Sequence, residues 1–343
     1  MRSTRRAHGR KISVLIGHAT GARIKNAMRL LLLVAALLPG LACAQAYPAK
    51  AIRMIIAFSP GGPTDIVARI VAQKLTEQIG QQVLVENRPG AGGNIAAELA
   101  AKAAPDGYTV FYNTSAIVIG PALYAKVNYD TFKDFVPVAL TATVPLVLLV
   151  NPSVPAKNVR ELIELARAKP GLLNYSSSGT GTITHLAAAL FAERTGMTAQ
   201  HVPYKGSAPA LVDLAGGQVQ FMIDTINTGL AYVKDNRLRV LAVATLARSI
   251  LLPDVPTFNE TVLPGFEMSA WQGVVVPTGT PQAIVDRLNA ELNKAMASPD
   301  VRARLALQGA EPLGGTAAQY AAYIQSESVK WGQVIKAAGV KAE

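Results

Sequence analysis

The sequence has little of what most enzyme and redox sites are built from. Its 343 residues include one cysteine, Cys43, which excludes a disulfide within the chain. Beyond residue 46 the only histidines are His185 and His201, and neither has an acidic cluster nearby in the sequence, so no metal site is predicted. The G-x-S-x-G, H-E-x-x-H, Walker A and complete G-x-G-x-x-G patterns are all absent. These absences predict a protein that is not an enzyme and has no cofactor.

A basic surface is also missing once the N-terminus is set aside. The formal net charge is +11, but eight of the 33 basic residues and none of the 22 acidic residues lie within residues 1–46. The remaining 25 basic residues therefore leave a net charge of only +3 beyond residue 46. Since nucleic-acid binding needs a basic patch or stripe, no nucleic-acid partner is predicted.

The first 46 residues are typical of a secretory signal. Arg29 precedes an apolar run at 30–38, Pro39 then interrupts the helix, and residues 44–46 read Ala-Gln-Ala, a small-x-small cleavage site. The apolar run is well short of the roughly 20 residues that span a bilayer. Residues 1–46 are therefore predicted to be a signal peptide that directs export to a bacterial periplasm.

Two features of this segment leave alternatives open. Residues 1–27 make an unusually long start for a signal, so they are interpreted as an extension upstream of a true start at Met28. Cys43 is the acceptor that a lipoprotein would need, although the residues before it fit a lipobox poorly. Cleavage after Ala46, the preferred interpretation, removes Cys43 and leaves a mature chain without cysteine.

The rest of the chain alternates between strand-like and helix-like segments. Strands are predicted at 52–58, 82–87, 108–113, 136–142, 145–150, 172–176, 200–204, 219–224 and 238–244. Helices are predicted at 64–79, 94–103, 158–168, 183–195 and 207–215, and residues 281–337 are predicted to be mainly helical. This alternation indicates an α/β fold with mostly parallel sheets flanked by helices.

Two proline-flanked strand segments, at 145–150 and 268–276, are candidates for crossings between two lobes. If the chain crosses at both, one lobe consists of residues 47–148 plus 268–343. The other lobe then consists of residues 149–267.

The most informative features are two glycine-rich loops, at 59–65 and 176–182, each between a strand and a helix. Backbone N–H groups at a helix start lack partners and lie at the positive end of the helix dipole, so each loop is a candidate anion site. Ordinary helix capping is the alternative interpretation of each. The ligand-binding residues predicted from these loops are Ser59, Gly61, Gly62, Thr64, Asp65, Ser178, Gly179, Thr180, Gly181 and Thr182.

Other candidates follow the ends of other strands. Thr114 and Ser115 end the third strand, Tyr204 follows a later strand, and Asp224 ends the apolar run before it. Ligands of open α/β sheets bind at the carboxyl ends of strands. Asp224 is expected either to bind a ligand hydroxyl or ammonium or to brace a neighbouring loop. A third glycine-rich loop, at 88–94, also lies between a strand and a helix, and taken alone it can be interpreted as a tight turn.

Taken together, these loops resemble the Bug-type receptors, the substrate-binding components of tripartite tricarboxylate transporters. The motifs that carry the resemblance are Tyr47-Pro48, Pro60-Gly61-Gly62-Pro63-Thr64-Asp65, Glu86-Asn87-Arg88-Pro89-Gly90-Ala91-Gly92-Gly93, Pro105-Asp106-Gly107-Tyr108-Thr109, Asn174-Tyr175-Ser176-Ser177-Ser178-Gly179, His185-Leu186, Val202-Pro203-Tyr204-Lys205-Gly206, Leu252-Pro253-Asp254-Val255-Pro256-Thr257 and Trp271-Gln272-Gly273. The resemblance implies a two-lobed periplasmic-binding-protein (Venus flytrap) fold. It also implies a cleft in which the loops at 59–65 and 178–182 hold a ligand carboxylate and Asp224 meets a polar group of the ligand.

The predicted function is that of a monomeric periplasmic solute-binding protein. It captures a small organic carboxylate and delivers it to the membrane permease subunits of a tripartite tricarboxylate transporter. A sensory receptor of the same fold and a secreted serine hydrolase, using Ser115 or Ser178 with His185, remain as alternatives. Which carboxylate binds is left open, because backbone donors recognise the carboxylate and not the rest of the ligand.

Overall fold

The computed structural model describes residues 47–341, so the predicted signal peptide lies outside the described residues. The strands are β1 (Ile52–Ile56), β2 (Val83–Asn87), β3 (Thr109–Thr114), β4 (Phe135–Val150), β5 (Asn174–Ser177), β6 (Gln200–Pro203), β7 (Phe221–Thr225), β8 (Arg239–Val243), β9 (Ser269–Pro277) and β10 (Glu311–Pro312). The helices are α1 (Pro63–Ile79), α2 (Asn94–Ala101), α3 (Ala116–Leu123), α4 (Val159–Ala168), α5 (Ile183–Thr195), α6 (Ser207–Ala215), α7 (Ile226–Lys234), α8 (Phe258–Thr261), α9 (Gln282–Ala297), α10 (Pro299–Leu307) and α11 (Ala317–Ala338). The predicted α/β class is confirmed.

The sheet is mixed, whereas the sequence predicts mostly parallel pairing. Its strand order is β2-β1-β3-β9-β4-β7-β5-β6, and β8 and β10 also pair with β4. The outer strands pair in parallel, as βαβ units require. The central strands β4 and β9 run antiparallel to each other and to their other neighbours. Alternation along the sequence identifies the parallel units but does not reveal how two distant strands insert between them.

Strand β4 is a single 16-residue strand where the sequence predicts two. Up to Pro145 it pairs with β9, and from Leu146 onward it pairs with β7 and β8. Pro145 therefore lies where β4 changes partners, a position at which a residue without an N–H group is tolerated. One strand thus belongs to both halves of the sheet, as expected for a crossing.

The structure adds helices α3, α7 and α8 to those predicted. The sequence of α3 is rich in β-branched residues and contains Pro121, which argues against a helix. Pro121 cannot donate to the carbonyl of Ile117, and the hydroxyl of Thr131 donates to that carbonyl instead. Burial of its first five residues, 116–120, then outweighs the poor intrinsic propensity of the helix.

The predicted helix limits agree best with the observed ones where proline, threonine or glycine marks the end of a helix. Helix α1 begins with Pro63 in its first turn and ends at Gly80 in the left-handed conformation, with φ of +68°. Helix α5 begins after Thr182, whose hydroxyl accepts from the N–H of His185, and ends at left-handed Gly196. These limits place the first turn of each helix against the cavity described below.

From Lys50 onward the chain forms one compact unit. The predicted lobe limits, 47–148 plus 268–343 and 149–267, stay a prediction. Across residues 47–341, no helix combines the length and apolar character needed to cross a bilayer.

Candidate ligand-binding site

Five helices of the described chain begin at the wall of one cavity, here called the main cavity. Its free volume is about 440 Å³. It is lined by Phe58, Pro63, Thr64, Thr114, Ser115, Ala116, Ser178, Thr182, Ile183, Thr184, Ser207, Asp224, Thr225, Ala270 and Gln272. The helices that begin there are α1, α3, α5, α6 and α7. Each follows a strand, so the cavity lies at the carboxyl ends of five strands.

Most of these helix starts leave first-turn backbone N–H groups without a side-chain partner. Within residues 47–341, the N-cap residues of α1, α3, α6 and α7 make no side-chain capping hydrogen bond, although the N–H of Ala116 at the start of α3 donates to Thr114 Oγ1 at 3.2 Å. Their first-turn N–H groups carry the positive end of each helix dipole. The main cavity is therefore suited to an anion, although no lysine, arginine or histidine lines it in the described structure.

The first loop, residues 59–65, is held in place by the carboxylate of Asp65. It accepts from the backbone N–H of Gly61 at 3.0 Å, from the side-chain amide of Asn87 at 3.0 Å and from the guanidinium of Arg69 at 2.9 Å. Burial works against ionisation of Asp65, but the hydrogen bonds from Arg69, Gly61 and Asn87 keep its pKa below the usual value. Asp65 thus braces the loop, and its neighbour Thr64 reaches the cavity.

The second loop, residues 176–182, uses most of its backbone donors internally. The N–H of Ser178 donates to Thr184 Oγ1 at 2.9 Å, and the N–H of Gly179 donates to Ser177 Oγ at 3.1 Å. The N–H of Thr182 donates to the carbonyl of Gly179 at 3.2 Å. This differs from the expectation of free backbone donors in the loop, and the side chains of Ser178, Thr182 and Thr184 line the cavity instead.

A stacked pair of histidines supports the second loop from behind. The rings of His185 and His201 lie 3.8 Å apart at 6°. His185 Nδ1 accepts from the N–H of Gly181 at 3.2 Å, and His201 Nε2 pairs with Ser177 Oγ at 2.7 Å. Burial lowers the pKa of His185 to about 4. Burial, together with repulsion between the two rings when both are protonated, lowers the pKa of His201 to about 3. Both rings are therefore neutral near pH 7, as the acceptor role of His185 requires.

Asp224 is the only ionisable side chain on the described wall of the main cavity, and it is fully buried. Its carboxylate accepts from the hydroxyls of Ser207 and Thr228 at 3.0 Å each. Burial raises the pKa of Asp224 to about 6, against the opposing hydrogen bonds from Thr225, Ser207 and Thr228. A buried carboxylate with hydroxyl partners remains an acceptor for a donor group of a ligand.

The predicted site residues fall into two sets. Those that line the main cavity are Thr64, Thr114, Ser115, Ser178, Thr182 and Asp224. Those outside its lining are Ser59, Gly61, Gly62, Asp65, Gly179, Thr180, Gly181 and Tyr204. Binding by either set stays a prediction.

Part of the second set lines a neighbouring side cavity of about 510 Å³, which shares Phe58 and Ser178 with the main cavity. Its wall includes Gly90–Gly93 of the third glycine-rich loop, together with Gly179, Thr180, Tyr204 and Lys205. The hydroxyl of Tyr204 donates to Asp213 at 2.6 Å. This contact turns its polar end toward α6.

Several lining residues were not predicted from the sequence. They are Phe58, Pro63, Ala116, Ile183, Thr184, Ser207, Thr225, Ala270 and Gln272. Gln272 is 1% exposed, and its Oε1 has no hydrogen-bond partner among the described residues. It lies on β9, more than 150 residues from the first loop in the sequence, so only the antiparallel insertion of β9 brings it to the cavity.

The geometry does not support a hydrolase. Ser178 Oγ pairs with Thr184 Oγ1 at 2.9 Å, and the described contact of His185 Nδ1 is with a backbone N–H. A nucleophile needs a base within hydrogen-bond reach, and neither Ser115 nor Ser178 has such a contact with His185 in the described part of the chain. Residues 47–341 also contain no group of three or more His, Cys, Asp or Glu placed to hold a metal ion.

Comparison with known families decides the class. The model of the tripartite tricarboxylate transporter family receptor, TctC, matches residues 67–340. The chain belongs to this family. Protein BugT of Bordetella pertussis is 39% identical to it over 300 residues, 87% of this chain and 92% of that protein. The resemblance to Bug-type receptors is thereby confirmed, and the family consists of substrate-binding receptors rather than enzymes.

Solved structures agree with this assignment to the TctC family. Rpa4515 of R. palustris, solved with adipate, has a TM-score of 0.84 and 38% identity, covering 86% of this chain and 99% of that one. MatC from Rhodopseudomonas palustris, solved with bound malate, has a TM-score of 0.81 and 34% identity, covering 84% of this chain and 100% of that one. The predicted periplasmic-binding-protein fold is confirmed.

Proposed function

We propose that this TctC-family receptor captures a small organic carboxylate in the main cavity, as a monomer in the periplasm, and delivers it to membrane permease subunits. Export by the predicted signal peptide, with cleavage after Ala46, belongs to the same proposal. The observation that carries it is the convergence of five helix N-termini on one cavity without a basic side chain on its described wall.

Fixed dipoles take the place of a counter-ion at this site. Each helix N-terminus stabilises an anion by about 0.3–2 kcal/mol, the larger values applying where water is excluded. Several such contributions, together with a hydroxyl donor from the Ser178–Thr184 pair, are offset by the cost of ordering the ligand. We expect a dissociation constant on the order of micromolar, about −8 kcal/mol.

Asp224 limits what the other end of the ligand can be. Two carboxylates about 5 Å apart repel by about 3 kcal/mol at an effective dielectric constant of 20. A hydroxyl, an ammonium or an undissociated carboxyl group facing Asp224 turns this repulsion into a hydrogen bond. We therefore expect the ligand to direct its carboxylate toward the helix N-termini and a donor group toward Asp224.

Ligand entry requires the walls of the cavity to separate. Fourteen of the fifteen residues that line the cavity are buried, so its walls leave little access from solvent. We propose that the predicted lobes open to admit the ligand and close around it. Strand β4, which belongs to both halves of the sheet, is then one of the connections about which they move.

The test is a thermal-shift screen of the purified protein with matched acids, followed by calorimetry. The panel pairs plain acids with their hydroxyl or amino counterparts, for example succinate with malate and aspartate, and includes adipate and aromatic acids. We expect stabilisation by at least one acid, because a ligand that binds only the folded state raises its stability. No shift with any acid would overturn the proposed function. Binding confined to fully ionised acids without a donor group would overturn the role of Asp224.

A further inference from the structure

The third glycine-rich loop, which the proposed site does not use for ligand contact, packs against the carbonyl group of Thr180 in the second loop. The hydroxyl of Tyr124 donates to the carbonyl oxygen of Thr180 at 2.9 Å. Gly92, in the third loop, packs against the same carbonyl. Gly92, Tyr124 and Thr180 are here called the Thr180 contact.

Gly92 can be accommodated there only because it lacks a side chain. A Cβ on Gly92 would lie 2.3 Å from the Thr180 oxygen and 3.2 Å from the Tyr124 hydroxyl. The first of these atoms belongs to the backbone, so no side-chain rotation relieves the clash. Gly92 also has φ of +62°, where residues with a Cβ are strained. Gly265, with φ of +75° and nothing within 4 Å of its Cβ position, has the strain without the clash.

The Thr180 contact joins segments that the proposed function assigns to different lobes. Gly92 and Tyr124 fall within residues 47–148, and Thr180 falls within residues 149–267. Thr180 does not line the main cavity, but Ser178 and Thr182 on either side of it do. The position of this carbonyl therefore constrains the backbone between two residues that line the main cavity.

We propose that Gly92 and Tyr124 are positioning residues that receive the second loop when the two lobes close on the carboxylate. The inference rests on the proposed function and assigns a role to the third loop within it. A side chain at position 92 holds the loops apart and shifts the receptor toward the open form, without altering any group that lines the main cavity. A ligand bound to such a receptor dissociates faster, because closure is what retains it.

The experiment compares Gly92→Ala with its matched control, Gly265→Ala. Binding of malate and adipate, and of any further acid found in the screen, is measured by stopped-flow and calorimetry. We expect Gly92→Ala to weaken binding at least about tenfold, mainly through a faster dissociation rate. Gly265→Ala keeps the parent affinity. Tyr124→Phe, which removes one neutral hydrogen bond and leaves the packing, weakens binding about fivefold.

A distance measurement separates closure from local damage. In the chain from Tyr47 onward, which contains no cysteine, spin labels at Leu84→Cys and Val212→Cys report the separation between the proposed lobes from two exposed positions. We expect longer distances in Gly92→Ala than in Gly265→Ala, both with and without acid. Superimposable distance distributions, or equal affinities for the two variants, would overturn the inference. Failure of the parent to bind any acid would instead overturn the proposed function.

Discussion

The two glycine-rich loops share a sequence pattern, yet different groups hold them in place. In the first loop the charged carboxylate of Asp65 collects donors from Gly61, Asn87 and Arg69. In the second loop neutral acceptors do the same work, among them Ser177 Oγ and the unprotonated nitrogen of His185. One loop therefore depends on a charge, and the other depends on the absence of one.

The difference also extends to what each loop offers a ligand. Helix α1 has no side-chain cap among the described residues, so the first loop leads into free first-turn donors beside Thr64. The second loop consumes the N–H groups of Ser178, Gly179 and Gly181, and it presents hydroxyls to the cavity. We infer that the first loop contributes a helix dipole and that the second contributes directional hydroxyl contacts. In this proposal the same motif supplies two kinds of anion recognition.

Replacing a glycine in each loop by leucine should separate the two most strongly. A Cβ on Gly179 would lie 3.1 Å from the carbonyl oxygen of Tyr204 and 3.7 Å from Gly92 Cα, whereas one on Gly61 would meet only Ala208 Cβ at 4.0 Å. Both glycines have positive φ, so backbone strain is common to the two variants. We expect Gly179→Leu to abolish measurable carboxylate binding and Gly61→Leu to weaken it about tenfold, measured by calorimetry.

Thermal unfolding of both variants provides the control. Each should retain a cooperative transition, because the loops lie outside the hydrophobic core. Equal losses of affinity would show that positive φ alone matters and that crowding around the second loop does not.

Acid should loosen the second loop before the first. Unfolded histidine titrates near pH 6.5, whereas burial lowers the pKa of folded His185 to about 4 and that of His201 to about 3. Below pH 6.5 the unfolded chain therefore binds more protons, and stability falls as pH decreases. Between pH 7.5 and pH 5, each histidine lowers the free energy of unfolding by about 2 kcal/mol. The pKa of Asp65 is below its usual value, so the first loop is unaffected in this range.

Urea unfolding at pH 7.5 and pH 5 measures this effect. Asp224 has the opposite effect on stability as the pH falls. Burial raises its pKa to about 6, so protonation of the buried carboxylate stabilises the folded state in acid. The comparison is therefore made between the parent and His201→Gln, which share Asp224. We expect the free energy of unfolding to fall by about 2 kcal/mol less in the variant than in the parent between pH 7.5 and pH 5. An identical loss of stability in both proteins would contradict a stabilising role of the neutral histidine pair behind the second loop.

The sequence predicts the parts of this site that depend on local signals. Helices α1 and α5 begin and end within one residue of the predicted limits, because proline, threonine and glycine mark their ends. The parallel strands and the loops after them follow from the same alternation. Thr64, Ser178 and Asp224 were found in this way, and each reaches the main cavity.

Features that depend on distant contacts were not predictable from the sequence. Gln272 reaches the cavity only because β9 inserts antiparallel between β3 and β4. Helix α3 forms through burial, against the propensity of its residues. His201 on β6 stacks on His185 of α5 only because β6 pairs in parallel with β5, the strand that precedes α5. None of these three features leaves a local signal in the sequence.

The smallest effect is expected at Tyr204, which the sequence places in the ligand site beside the second loop. Its hydroxyl donates to Asp213 at 2.6 Å, and burial together with that carboxylate raises the pKa of Tyr204 to about 12. The phenol therefore stays protonated at neutral pH and bonds to α6, and Tyr204 is not among the residues that line the main cavity. We expect Tyr204→Phe to lower stability by about 1 kcal/mol and to change the dissociation constant less than twofold. Calorimetry of the variant beside the parent decides between the two interpretations, since a tenfold loss would restore Tyr204 as a ligand contact. An unchanged affinity would limit the second loop's contribution to Ser178, Thr182 and the first turn of α5.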